Sequence, residues 1–255
     1  MLEARGLKKN FGSLIAVNDV SFSIGPGETL GYVGPNGAGK STTVKMICGL
    51  LEPAAGEVLF NGVRIHNDLV GYKRQVGYVP EEPNLYPYLS AREYLDLVGT
   101  LRDIPRKQRL AKIDELLRLF SLHPQRHAAL SSYSKGMRQK VLLISGLLHN
   151  PRIIIFDEPL SGLDVTSAFV FRRLVGSLAR QGKFIFYCSH VLEVVEKLCS
   201  HLLILKAGKV VAHGLTREVL HQLNQPTLED TFAQLVPEVD AASVADQIVE
   251  VVCST

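Results

Sequence analysis

The chain has 255 residues, 46% hydrophobic and 21% charged, with a formal net charge of +3. This composition is that of a folded globular protein with a sizeable core, and it argues against a disordered chain. The charge is too mild, and the Lys/Arg residues too dispersed, to call for nucleic acid.

The start Met1-Leu2-Glu3-Ala4-Arg5 leads into no apolar signal core, and no window approaches the roughly 18 uninterrupted apolar residues of a membrane span, so a cytoplasmic location is expected. Cys48, Cys188, Cys199 and Cys253 form no CxxC pair and no metal-like spacing, which predicts reduced, mostly buried thiols.

Residues 2–24 alternate loosely between apolar and polar positions, with turns expected at Asn10-Phe11-Gly12 and at Asn18-Asp19. This pattern predicts two or three antiparallel strands. Phe11 reads either as an ordinary turn aromatic or as a ring that stacks on a nucleotide base.

Thr29-Leu30-Gly31-Tyr32-Val33 predicts a buried strand, and residues 42–47 a helix. Between them Gly34-Pro35-Asn36-Gly37-Ala38-Gly39-Lys40-Ser41-Thr42 fits the phosphate-loop pattern GxxxxGK[ST]. Glycines there allow a tight turn with amide N–H groups pointing inward, and the helix begins with its positive dipole end at the same spot. Lys40 adds a charge for the β and γ phosphates, and the Ser41 hydroxyl is placed to ligate Mg²⁺.

Gly56-Glu57-Val58-Leu59-Phe60 predicts a strand running into an Asn61-Gly62 turn. Gln75-Val76-Gly77-Tyr78-Val79 predicts another, ended by the loop Pro80-Glu81-Glu82-Pro83.

Residues 86–133 change to helical character. Ser90-Ala91-Arg92-Glu93 is a capping box before Tyr94, Leu95, Leu97, Val98 and Leu101, and after Pro105 an apolar stripe runs through Leu110, Ile113, Leu116, Leu117 and Phe120. This block reads as a helical subdomain inserted into an α/β core with a mostly parallel sheet.

Ser131-Ser132-Tyr133-Ser134-Lys135-Gly136-Met137-Arg138-Gln139-Lys140 leads into a helix that ends near His149. Beyond Pro151, Ile153-Ile154-Ile155-Phe156 has the unbroken apolar character of a parallel strand buried on both faces. It delivers Asp157 and Glu158 to the carboxyl edge of the sheet, where ligands bind in open α/β folds.

The loop 160–164 caps a predicted helix over 165–180. Phe184-Ile185-Phe186-Tyr187 forms a second buried strand ending at Ser189-His190, and a hairpin turns at Ala207-Gly208. Thr227-Leu228-Glu229-Asp230 opens a short helix, and a weak apolar stripe at Val244, Ile248, Val251 and Val252 closes the chain. The expected division is one domain over 1–222 and a helical extension over 223–255.

A sheet edge that carries a phosphate loop, an acid pair, a histidine and the Glu81 loop suits cleavage of a phosphoanhydride. In that reading Asp157 serves the Mg²⁺ shell, Glu158 polarises an attacking water and His190 contacts the γ-phosphate.

Over about residues 2–215 the sequence resembles the ATP-binding subunit of ABC transporters. GPNGAGKST is similar to that family's Walker A loop, IIIFDEP to its Walker B strand, SGLD to its D-loop and Ser189-His190 to its switch histidine. YSKGMRQK resembles the family signature, in a form like that of subunits paired with export-type permeases.

The resemblance implies a P-loop NTPase core behind an N-terminal antiparallel β subdomain, with ATP and Mg²⁺ as ligands and a base-stacking role for Phe11. It also implies a head-to-tail pair of ATPase subunits, homodimeric or heterodimeric, in which Ser134 and Gly136 contact the γ-phosphate of the partner's ATP. The pair would dock on an integral membrane permease, at the cytoplasmic face of the membrane, and drive transport, with export as the expected direction.

Two positions depart from the family pattern. Glu81 stands where a glutamine usually ligates Mg²⁺ and water, and Lys135 and Met137 stand where glycine and glutamine are commonest in the signature. The alternative is a soluble ABC ATPase acting on ribosomes or DNA. Ribosome-acting members usually join two ATPase domains in one chain, and DNA-repair members carry long coiled coils or zinc modules.

Overall fold

The computed structural model describes residues 1–222, 227–235 and 241–253. Strands β1 (Leu2–Phe11) and β2 (Leu14–Ile24) pair antiparallel, and β4 (Ala55–Phe60) and β5 (Val63–Arg64) extend them into a four-stranded sheet of order β2-β1-β4-β5. The turn at Asn61-Gly62 is a two-residue hairpin with both residues at positive φ, 52° and 79°, the conformation an Asn-Gly pair adopts most readily.

The second sheet has six strands, with β3 (Thr29–Val33) and β6 (Val76–Val79) preceding β7 (Ile153–Asp157), β8 (Phe184–Cys188), β9 (His201–Lys206) and β10 (Lys209–Leu215) along the chain. Its order is β10-β9-β3-β8-β7-β6, parallel throughout except for the β9–β10 hairpin.

Unbroken apolar strands arise because both faces of this sheet are covered. Ile153, Ile155, Phe184 and Phe186 turn toward the antiparallel sheet and α1 (Lys40–Ile47), where Tyr32 and Phe186 pack with ring centroids 4.9 Å apart. Ile154, Phe156, Ile185 and Tyr187 turn the other way, against Phe171 and Val175 of α6 (Val165–Arg180) and Val195 of α7 (Leu192–Leu198).

A short helix α2 (Leu69–Arg74) precedes β6. Helices α3 (Ala91–Leu101) and α4 (Arg106–Leu119) follow it, and with α5 (Lys135–Leu147) they surround a third core of Leu95, Ile113, Leu117, Val141 and Ile144. The Ser90–Glu93 capping box is formed in both directions. Leu110 and Leu116 are only half-buried, so the working face of α4 is the narrower pair Ile113 and Leu117.

The expected turn at Asn18-Asp19 is not a turn. Strand β2 continues through it with a bulge: the pairing steps from Leu7↔Val20 to Lys8↔Asn18, leaving Asp19 as an extra residue at φ 65°. Aspartate tolerates the left-handed conformation such a bulge demands, so a turn-forming pair here marks a kinked strand.

Helix α8 (Thr216–Gln222) follows β10, α9 (Leu228–Leu235) lies against α7 with Leu228 and Thr231 buried, and α10 (Ala241–Cys253) leaves Val244, Ile248, Val251 and Val252 exposed. Within the expected extension over 223–255, residues 223–226, 236–240 and 254–255 lie outside the described residues. Cys48, Cys188 and Cys199 are buried and free, and Cys253 is exposed. Among the described residues no helix is long and apolar enough to cross a membrane.

Gly77 is where α5 presses closest on the sheet: a Cβ there would sit 2.1 Å from the Gly146 carbonyl oxygen. Gly77→Ala is therefore expected to cost about 1–3 kcal/mol of stability through forced separation of β6 and α5. Urea unfolding measures this, and an unchanged midpoint would contradict the packing described.

Candidate active site

Parallel pairing brings three strand ends to one edge. Cys188 of β8 stands opposite Tyr32 of β3 on one side and opposite Asp157 of β7 on the other. The chain leaving β3 is the phosphate loop, the chain leaving β7 begins at Glu158, and the chain leaving β8 is Ser189-His190.

Local contacts shape the loop. Gly39 has φ 102° at the helix start, and a Cβ would lie 2.2 Å from the Ala16 carbonyl oxygen of β2, so glycine is required twice over. Gly34 is similarly pressed against the Leu205 carbonyl oxygen, which a Cβ would approach to 2.4 Å. Ala38 is buried, its N–H donating to the Pro35 carbonyl (3.2 Å) and its own carbonyl accepting from Gly208 N (3.0 Å). The Lys40 ammonium donates to the carbonyls of Gly34 (2.6 Å) and Pro35 (2.9 Å), which holds it across the loop.

A cleft of about 350 Å³ opens over this edge. Phe11, Leu14 and Ala16 line it from the antiparallel sheet, and Asn36, Gly37, Gly39, Lys40, Ser41 and Thr42 from the loop and the start of α1. Glu81, Asp157, Glu158 and His190 complete it. Phe11 is 51% exposed, with the Lys9 ammonium 5.9 Å from its ring centroid, and its ring can receive a flat ligand.

Asp157 is buried, and the Tyr78 hydroxyl donates a long hydrogen bond to its Oδ2 (3.5 Å). Burial, together with the charges of Glu81 and Glu158, pushes the Asp157 carboxyl above its ordinary value. Glu158 takes a left-handed conformation (φ 48°) and accepts from the Ser189 hydroxyl and the His190 amide. The His190 side chain is exposed, and its Nδ1 lies 2.8 Å from Glu158 Oε1.

Two of the sequence-derived candidates lie on a different element, away from the cleft. Ser134 and Gly136 sit at the start of α5, where the Ser134 hydroxyl caps the helix by accepting from Met137 N (3.2 Å) and remains exposed. Gly136 is packed so closely on the loop before α6 that a Cβ would lie 2.4 Å from the Gly162 carbonyl oxygen. Gly34, Pro35 and Ala38 shape the loop from behind rather than line the cleft. Leu14 and Ala16 carry no sequence signal for the site; their apolar character in an alternating strand bears no mark of a ligand.

The profile of the ABC transporter family matches residues 17–161 of this chain. The chain belongs to the ABC transporter family. It is 38% identical to the ABC transporter ATP-binding protein NatA of Bacillus subtilis over 200 residues, 78% of this chain and 81% of that protein. It is 33% identical to the linearmycin resistance ATP-binding protein LnrL of the same organism over 228 residues, 89% of this chain and 73% of that one.

Among solved structures, an ATP-binding subunit of an ABC transporter superposes with a TM-score of 0.86 at 32% identity, covering 92% of this chain and 99% of that one. A dimeric ATP-binding cassette in a post-hydrolysis state, bound to ADP and Pi, superposes with a TM-score of 0.78 at 26% identity, covering 85% and 99%. This chain is thus an ABC ATPase: it binds ATP and hydrolyses it as the ATP-binding subunit of a transporter.

In this ABC ATPase Lys40 is the cation that the cleft presents beside the phosphate loop. Removing it with Lys40→Ala is expected to weaken ATP binding about 10- to 100-fold, the worth of charge-assisted hydrogen bonds to phosphate. Titration with a fluorescent ATP analogue reads this directly, and undiminished affinity would contradict the phosphate-loop assignment.

Proposed function

We propose that this chain works as one of a head-to-tail pair of ATPase subunits that drives export through a separate membrane permease. The observation that carries this reading is a division of parts. The phosphate loop, Asp157, Glu158, His190 and Glu81 converge on one cleft, while Ser134 and Gly136 stand on a different surface, at the start of α5. A site with its signature elsewhere needs a second copy to complete it.

In this proposal the backbone amides of 34–42 and the α1 dipole hold the phosphates, Lys40 spans the β and γ groups, and Phe11 stacks on the base. The donor set at the cleft suits Mg²⁺: the Ser41 hydroxyl and the Asp157 carboxylate are hard oxygen ligands, and the mutual repulsion of Asp157, Glu81 and Glu158 is relieved by a cation. Ser41, Asp157 and Glu81 would hold it, with ATP oxygens and waters supplying the rest. When bound, Mg²⁺ neutralises phosphate charge.

Glu158 accepts a proton from the attacking water. The water oxygen bonds to the γ-phosphorus as the bond to the bridging oxygen breaks, and ADP leaves. His190 contacts the γ-phosphate, as do Ser134 and Gly136 of the second copy, through the hydroxyl, an amide and the α5 dipole.

The permease seat in this proposal is a groove of about 280 Å³ between the core and the helical insertion, lined by Leu50, Val76, Tyr78, Tyr94 and Val98 among others. It lies beside the loop that carries Glu81, with Tyr86 and Tyr88 exposed nearby in sequence. A cytoplasmic seat at the membrane face follows from such docking. Export is favoured by a relative named for linearmycin resistance, an outcome that outward transport of a compound would serve.

Mixing inactive variants tests the shared site. Lys40→Ala spoils the loop and Ser134→Arg the signature, so each alone should be inactive, while an equimolar mixture should recover about a quarter of wild-type ATPase through dimers with one intact site. A mixture with no more activity than its parts would refute the head-to-tail arrangement. Glu158→Gln should lose turnover by at least about 100-fold yet retain ATP-bound dimers on a sizing column; rapid hydrolysis by that variant would remove Glu158 as the base.

A further inference from the structure

Glu158 is held by more than its own strand. Its amide donates to the Cys188 carbonyl (2.9 Å), which ties the left-handed residue to the end of β8. Its Oε1 accepts from the His190 amide (2.7 Å) and its Oε2 from the Ser189 hydroxyl (3.0 Å).

The two oxygens are therefore anchored separately. His190 holds Oε1 through its backbone amide, with its Nδ1 also 2.8 Å from that oxygen. Ser189 holds Oε2 through its side chain alone.

Ser189 is 1% exposed and Glu158 8%, so water does not readily replace a lost donor. The Ser189 oxygen also accepts from Val191 N (3.2 Å). With that lone pair engaged, its one hydroxyl hydrogen is directed at Glu158.

The last torsion of a glutamate side chain is broad and two-fold, so contacts on Oε1 alone leave the position of Oε2 unfixed. A general base must stay within hydrogen-bond reach of the proton it takes.

We propose that Ser189 is a positioning residue for hydrolysis: its hydroxyl fixes the plane of the Glu158 carboxylate and so aims it at the attacking water. The inference rests on Glu158 being the base. Ser189 touches neither phosphate nor metal in this account and acts only through Glu158.

The test compares Ser189→Ala, Ser189→Cys and Ser189→Thr with Glu158→Gln in the full chain, measuring kcat for ATP hydrolysis and, separately, the affinity for ATP. Ser189→Ala should lower kcat about 10-fold, the effect of one buried hydrogen bond to a charged group, with ATP affinity changed less than about twofold. Ser189→Cys, close in size but a weak donor, should fall with it even if the alanine variant folds poorly. Ser189→Thr, which keeps the hydroxyl, should recover most of the rate.

A purely structural role would displace His190 as well, weakening ATP binding in step with kcat; that result, or unchanged kcat in both Ser189→Ala and Ser189→Cys, would overturn the proposal. Normal turnover in Glu158→Gln would overturn the base assignment beneath it. An inactive Glu158→Gln beside fully active Ser189 variants would overturn the positioning role alone.

Discussion

The constraint on which the molecule depends is the in-register parallel pairing of β3, β8 and β7. Each strand is five residues long and buried throughout. A shift of one residue in any of them would exchange the faces that fill the two cores, replacing Phe186 with Ile185 against Tyr32. The hydrophobic layers thus hold the strand ends level, and level strand ends put the phosphate loop, Asp157 and His190 on one rim. Packing on both faces of a sheet is here the cause of the site's geometry.

The antiparallel sheet adds a second constraint. It covers one face of the parallel sheet and extends its β1–β2 hairpin over the loop, bringing Phe11, Leu14 and Ala16 to the cleft. The close approach of Ala16 to Gly39 couples base-side and phosphate-side walls, since neither backbone can move without the other. Between those walls the cleft collects three carboxylates near one lysine, an arrangement that favours a phosphate ligand arriving with a divalent cation.

Much of this was legible in the sequence because its signals are local. The GxxxxGK[ST] run, the apolar strand before Asp157 and the Ser90–Glu93 capping box each depend on neighbouring residues, and each forms where the pattern put it. The Asn18-Asp19 pair misled because the same backbone preference serves a turn and a bulge, and only the partner strand decides between them. The roles of Ser189 and Leu14 depend on contacts across the fold. Ser189 meets a carboxylate 31 positions earlier, a relation that spacing alone does not encode. Strand order is of the same kind, since β3 lies between β8 and β9, both more than 150 positions later.

In the proposed head-to-tail pair, the site formed by one chain is a half. In that proposal the cleft would hold the nucleotide's base and phosphates, and the exposed, capped start of α5 would meet the ligand held by another copy. ATP would then serve as the joint between subunits, and its hydrolysis as the release. The most direct measurement is a cross-chain disulfide between Asn36→Cys in one copy and Lys135→Cys in a second, both exposed positions, with Cys253 replaced by serine and Glu158 by glutamine. A crosslinked dimer should form with ATP and not without it. A crosslink indifferent to nucleotide, or none under any condition, would contradict the head-to-tail pair.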